Sequence, residues 1–197
     1  MDRRNALKNS ALLAGLTVSG ASLTTLMQSC QEQSRLDWEP LFFSKKQAET
    51  VSAMADTFLP TTETPGALDL KADLFVDLMC KKHLSPTDQE HVMKGCQEFM
   101  QTCRSTYGKD YPDLNAEEKA EYLKTAGEKA NTFNPAVWGS PLGKQEPLDF
   151  YRRVKQFTLV GYFTSEEVGK NILVYDPIPA EQKGCIPVDE VGNAWTL

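Results

Sequence analysis

The chain has 197 residues, of which 41% are hydrophobic and 24% charged, with a formal net charge of −6; this is the composition of an ordinary globular protein and excludes disorder of the whole chain. The length suits one domain around a single core. Without residues 1–30, which hold three basic residues and one acidic residue, the charge becomes −8; phosphate backbones repel such a domain, so nucleic acid is a disfavoured partner, and no polybasic face is present to hold it on an anionic membrane.

Residues 1–30 read as an address rather than as part of the fold. Arg3 and Arg4 are followed by Asn5-Ala6-Leu7-Lys8, and a mildly apolar run then extends from Ala11 to Met27, diluted by Gly, Ser and Thr. A charged head, a weakly apolar middle and small residues at the end make a bacterial signal peptide. The paired arginines resemble a twin-arginine signal, which exports proteins already folded. A membrane anchor is the alternative, but a span wants about 20 predominantly apolar residues and this run is broken by polar ones. Leu26-Met27-Gln28-Ser29-Cys30 resembles a loose lipobox, in which Cys30 is acylated; cleavage nearby by an ordinary peptidase is the other reading. Residues 31–43 read as a tether, polar in its first part.

The first helix starts at Ser44, which with Gln47 forms a Ser-x-x-Gln capping box. Ala48, Val51, Met54, Ala55, Phe58 and Leu59 recur at helical spacing, and Pro60 ends the run. Pro60 to Gly66 is a turn-rich loop. A second helix is predicted from about Leu70 to His83, with Leu70, Leu74, Phe75, Leu78 and Met79 as its apolar face. A third opens at Ser85, with Pro86 at the first helical position and Asp88 in the first turn; Val92, Cys96, Phe99, Met100 and Cys103 form its stripe, which fades at Tyr107-Gly108. Asn115 caps a fourth helix with thin apolar content (Ala120, Leu123, Ala126), predicted to lie on the surface. Residues 131–147 are loop. A fifth helix covers about Leu148 to Tyr162, and Thr164-x-x-Glu167 caps a short sixth reaching about Leu173. Beyond it the chain is irregular and rich in proline, and Trp195 is placed to dock on the domain or on a partner. No strand alternation persists. The pattern specifies an all-α domain over residues 44–197, an irregular bundle of about five to six helices with long proline-rich loops.

Chemistry is sparse. Cys96 and Cys103 share one helix and lie about 10.5 Å apart along its axis, beyond the roughly 7 Å limit for a disulfide. Cys80 could pair with either across the helix hairpin; buried free thiols are the favoured reading for Cys80, Cys96, Cys103 and Cys185. A zinc site would need Cys80, His83, His91 and Cys96 to converge, yet His91 and Cys96 point about 140° apart on their helix. The two histidines sit in a charged stretch and read as solvated. No Gly-x-Gly-x-x-Gly follows a strand, and no Cys-x-x-Cys-His marks covalent haem. The chain is expected to carry no catalytic, cofactor-binding or metal-binding residues of its own.

Three stretches carry a resemblance. They are Asp56-Thr57-Phe58-Leu59-Pro60-Thr61-Thr62-Glu63-Thr64-Pro65-Gly66-Ala67, Phe75-Val76-Asp77-Leu78-Met79, and Phe157-Thr158-Leu159-Val160-Gly161-Tyr162-Phe163-Thr164-Ser165-Glu166-Glu167-Val168-Gly169, the last continuing into Tyr175-Asp176-Pro177-Ile178-Pro179 and Gly184-Cys185-Ile186-Pro187. With the twin-arginine head, they resemble the gluconate 2-dehydrogenase subunit 3 family. The resemblance implies a non-catalytic small subunit of a membrane-associated sugar or sugar-acid dehydrogenase. The FAD there belongs to a large flavoprotein of the glucose-methanol-choline type, and a multihaem cytochrome c often carries the electrons onward. The small subunit aids maturation and export of the flavoprotein, so a periplasmic, membrane-associated location is implied. Thr61, Glu63, Thr64, Pro65 and Gly66, with Tyr162, Phe163, Thr164 and Ser165, are the expected partner contacts; internal packing of Tyr162 and Phe163 is the competing expectation. A free-standing periplasmic binding or scaffold lipoprotein is the alternative function, and an independent enzyme a further one.

Overall fold

The structure, a computed structural model, describes residues 36–131, 136–137, 140–143, 146–175 and 185–196. Arg3, Arg4, Cys30 and residues 31–35 of the expected tether therefore lie outside the described residues, as do 176–184. The described residues form seven α-helices: α1 (Lys45–Phe58), α2 (Ala72–Lys82), α3 (Pro86–Tyr107), α4 (Ala116–Lys129), α5 (Phe150–Phe163), α6 (Glu166–Asn171) and α7 (Val188–Val191). Among the described residues strand is confined to two-residue pairings, Ala136–Val137 antiparallel to Ser140–Pro141 and Val174–Tyr175 parallel to Trp195–Thr196. The fold is all-α, as the helical periodicity predicts, with the single turn α7 beyond the expected elements. No helix among the described residues is long and apolar enough to cross a membrane.

Local sequence chemistry sets most helix ends. The Ser44 N–H donates to Gln47 Oε1 at 2.9 Å, the return half of the capping box. Ser85 Oγ accepts from the Asp88 N–H at 3.2 Å, Pro86 holds the first turn, and Gly108 ends α3 at φ 70°, the left-handed cap that glycine adopts without a Cβ penalty. Asn115 and Glu118 form a reciprocal capping box on α4. Asp149 caps α5 by accepting from the Arg152 N–H at 2.9 Å.

Helix α5 is the hub: α1, α2, α3 and α4 all pack against it, α2 most extensively. Its crossing with α3 is close because Gly95 lies there; a Cβ at that position would sit 2.7 Å from Phe150 Cβ. The core joins Val51 and Met54 of α1, Val76 and Cys80 of α2, Val92, Cys96 and Phe99 of α3, and Phe150, Val154 and Phe157 of α5. Each large side chain buried there contributes about 1.5–3 kcal/mol. Phe99 centres an aromatic cluster with Tyr111, Tyr122 and Phe150 at ring separations of 5.4, 4.8 and 5.6 Å.

Four differences from the expected pattern have physical causes. The thin apolar content of α4 hid a core residue: Tyr122 is buried and its hydroxyl donates to the Phe99 carbonyl at 2.7 Å. A 3-10 turn over Tyr111–Asp113 buries Tyr111, whose hydroxyl reaches Thr57 Oγ1 at 3.1 Å. The cap of α6 is Ser165 rather than Thr164, because Thr164 Oγ1 is spent on the Val160 carbonyl at 2.6 Å. The fourth concerns α2, whose face is turned.

Candidate interaction surface

Helix α2 buries Ala72, Asp73, Val76, Asp77 and Cys80 and leaves Leu74 and Leu78 37% and 36% exposed. Of the expected apolar face, Leu70, Phe75 and Met79 are half-buried, Met79 against the core, but Leu74 and Leu78 are exposed and the core side of the helix is formed by other residues. The reason lies in the chain before α1. Asp77 accepts backbone N–H bonds from Leu41 (2.7 Å), Phe42 (3.1 Å) and Phe43 (3.0 Å). Asp73 accepts from Trp38 Nε1 at 3.0 Å and from the Ser52 hydroxyl. The two carboxylates, one turn apart, staple residues 38–43 along α2 and satisfy donors that would otherwise be buried unpaired. Phe43 enters the core, and Leu36, Trp38 and Phe42 pack beside it. Residues 36–43, the expected end of the tether, are therefore an arm docked on the domain.

The loop between α1 and α2 is equally well specified. Asp69 accepts from Thr61 Oγ1 and from the Gly66 N–H, both at 2.7 Å; the Thr61 hydroxyl first, then the Gly66 amide, holds its carboxyl below the usual carboxylate range. Gly66 lies against Thr61 so tightly that a Cβ would come within 2.6 Å of the Thr61 nitrogen. Thr62 N–H donates to the Thr64 carbonyl at 3.0 Å, which leaves Thr62, Glu63 and Thr64 exposed at the tip.

The two segments expected to contact a partner meet in space. Tyr162, buried, donates its hydroxyl to the Pro65 carbonyl at 2.9 Å, across 97 residues of sequence. Phe163 packs edge-on against the Tyr162 ring, with centroids 5.2 Å apart, and is 48% exposed. Ser165 donates to the Tyr162 carbonyl at 2.7 Å and, like Thr164, serves the helix junction. Of the expected contacts, Pro65, Gly66, Tyr162 and Ser165 brace the corner, whereas Thr61, Glu63, Thr64, Phe163 and Thr164 are exposed there. Phe75 closes the seam between α2 and α5: a Cβ on Gly161 would be 2.7 Å from its ring. Val160, beside that glycine, is exposed. Leu41, Leu74, Leu78 and Val160 are exposed apolar residues that the sequence reading did not assign to a surface. The available signal was the spacing of Ala72, Val76 and Cys80, a competing small-residue face four residues apart.

The cysteines and histidines offer little chemistry. Cys80, Cys96, Cys103 and Cys185 are free thiols; the first three are buried as expected, but Cys185 is exposed, lying in the irregular stretch that follows the helical core. Burial pushes Cys80 and Cys96 up to about 12 and Cys103 up to about 11, so all three stay protonated at neutral pH and are poor nucleophiles. His83 and His91 are exposed. Among the described residues no three His, Cys, Asp or Glu side chains gather as metal ligands. A surface hollow of about 370 Å³ is lined by Ser44, Lys46, Gln47, Met100, Gln101 and Arg104. Its Arg104 guanidinium is already closed on Asp110, with contacts of 2.5 and 2.6 Å.

Comparison with known families matches the chain over residues 45–180 to the model described as Gluconate 2-dehydrogenase subunit 3. That span runs from the first residue of α1 to beyond α6 and contains the Thr61–Gly66 loop, the α2 staple and the Tyr162 corner. No curated protein and no solved structure matches.

Proposed function

The chain belongs to the gluconate 2-dehydrogenase subunit 3 family, and from that premise we propose that it is the non-catalytic small subunit of a membrane-associated sugar or sugar-acid dehydrogenase. Its partner is an FAD-dependent flavoprotein of the glucose-methanol-choline type. The small subunit binds the flavoprotein, supports its maturation and carries the export signal for the folded pair through Arg3 and Arg4. Acylation of Cys30 holds the mature chain on the periplasmic side of a membrane, since lipid chains contribute about 0.8 kcal/mol per buried methylene.

The family match carries this reading. The surface supports it: Phe163 and Val160 offer apolar area, flanked by the polar tip of Thr62, Glu63 and Thr64, an aromatic centre beside a polar rim as interfaces have. The rigid bracing of the corner by Asp69, Gly66 and Tyr162 means little ordering is needed on docking.

Deletion of this chain tests the escort role. The flavoprotein is then expected to remain in the cytoplasm, and Arg3→Lys with Arg4→Lys should have the same effect. Normal export and activity of the flavoprotein without this chain would overturn the proposal.

A further inference from the structure

We infer that the exposed ridge of Leu41, Leu74 and Leu78 is a bilayer-facing surface, laid on the lipid headgroup boundary of the membrane that holds the chain. The inference rests on the acylation of Cys30 proposed above.

The three leucines lie on two segments that are bonded to each other. Leu41 donates its backbone N–H to Asp77, the residue before Leu78, and Trp38 is bonded to Asp73, the residue before Leu74. Leu74 and Leu78 are one helical turn apart and face the same way. Leu41 is 61% exposed and the other two more than a third, although the core of the domain lies on the opposite side of α2. Burial within the domain therefore does not explain three leucines here.

Chain length selects the occupant. Only residues 31–35 separate Cys30 from Leu36, where the docked arm begins. Fully extended, that link spans about 20 Å. The carboxylates of Asp73 and Asp77 fix the arm along α2, so Leu36, where the link joins the domain, begins the same arm that carries Leu41. A leash this short brings the leucines to the bilayer without a further binding partner. Lysines fit the same placement: Lys81 and Lys82 follow Leu78 by three and four residues and are exposed, while Lys71, three residues before Leu74, is paired with Asp37 of the arm. Lysine beside apolar side chains at a membrane boundary extends its ammonium toward the headgroups. The acidic balance of the domain opposes attraction to anionic lipid, so the contact is apolar and should persist at high salt.

The test uses full-length acylated protein reconstituted into phosphatidylcholine vesicles that carry a doxyl quencher in the acyl chains. A bimane probe is placed at Lys81→Cys, or at Glu117→Cys on the first turn of α4, in a Cys185→Ser background; the remaining thiols are buried. The expected result is loss of fluorescence at position 81 and none at 117. Leu41→Ser, Leu74→Ser and Leu78→Ser together should restore the signal at 81 while the protein still sediments with vesicles and melts as before. Sedimentation with no quenching at 81, or quenching that survives the leucine changes, overturns the ridge but leaves the anchor standing. Failure to sediment overturns the anchor and the ridge together. Quencher-free vesicles in which the probe at 81 responds only to added flavoprotein would assign the ridge to that partner instead.

Discussion

Replacing Asp77 with Ala removes the acceptor for three backbone N–H groups, at 2.7, 3.1 and 3.0 Å. Hydrogen bonds to a charged acceptor contribute about 1.5–3 kcal/mol each, and a buried orphaned donor costs about 1–3 kcal/mol. The three are not additive, because Leu41 and Phe42 lie partly at the surface and water can reach their N–H groups. Only the Phe43 donor is deeply buried. A loss of about 3–5 kcal/mol is therefore expected, against a total stability of about 5–15 kcal/mol. For a domain of this size that lowers Tm by on the order of 10 °C. Asp77→Asn keeps one acceptor oxygen and should fall between the two. Leu78→Ser, the adjacent residue on the outer face, should change stability by about 0.5 kcal/mol or less. Thermal melts followed by far-ultraviolet circular dichroism distinguish the two classes. A mild Asp77→Ala combined with a severe Leu78→Ser would refute the outward placement of Leu78 on α2 and the docked arm with it.

Gly66→Ala should weaken the α1–α2 loop by about 1–3 kcal/mol, because the new methyl meets the Thr61 backbone nitrogen rather than a yielding side chain; urea titration measures it. Tyr162→Phe should cost about 1 kcal/mol by releasing the Pro65 carbonyl, and should also weaken capture of the flavoprotein if the corner is the docking site. The Asp69 carboxyl is held below its ordinary value of 3.8. A depressed carboxylate contributes stability that is present above the unfolded value and lost as pH falls through the folded one. The Gly66 amide proton shift should therefore stay constant from neutral pH down to the ordinary carboxylate range and move only below it, and Asp69→Asn should abolish that transition. In a Cys30→Ala background, a thiol reagent at neutral pH should modify Cys185 alone, with Cys80, Cys96 and Cys103 reacting only after unfolding.

What could be read from sequence followed the range of the interaction. The Ser85-Pro86-Asp88 start and Gly108 end of α3 depend on residues within one turn, and each is where local chemistry puts it. The orientation of α2 depends on backbone donors more than thirty residues earlier, so the large side chains of Leu74 and Leu78 misled while the aspartates carried the answer. Phe43, Tyr111 and Tyr122 were missed as core for the same reason: their partners lie on other elements. At the candidate site, the segments Thr61–Gly66 and Tyr162–Ser165 were legible as unusual loops, but their meeting through a single Tyr162–Pro65 bond is a tertiary fact. Thr164 and Ser165 were exchangeable as caps until the Val160 carbonyl claimed the threonine.

The central claim is that this chain works by holding a flavoprotein and carries no redox group itself. Tagged full-length protein should be drawn from detergent-solubilised membranes, its subunits separated under mild denaturation, and the absorption spectrum of each recorded. Flavin absorbance is expected with the larger partner and only aromatic absorbance with this chain. A captured complex without flavin, or flavin that stays with this polypeptide, would contradict it.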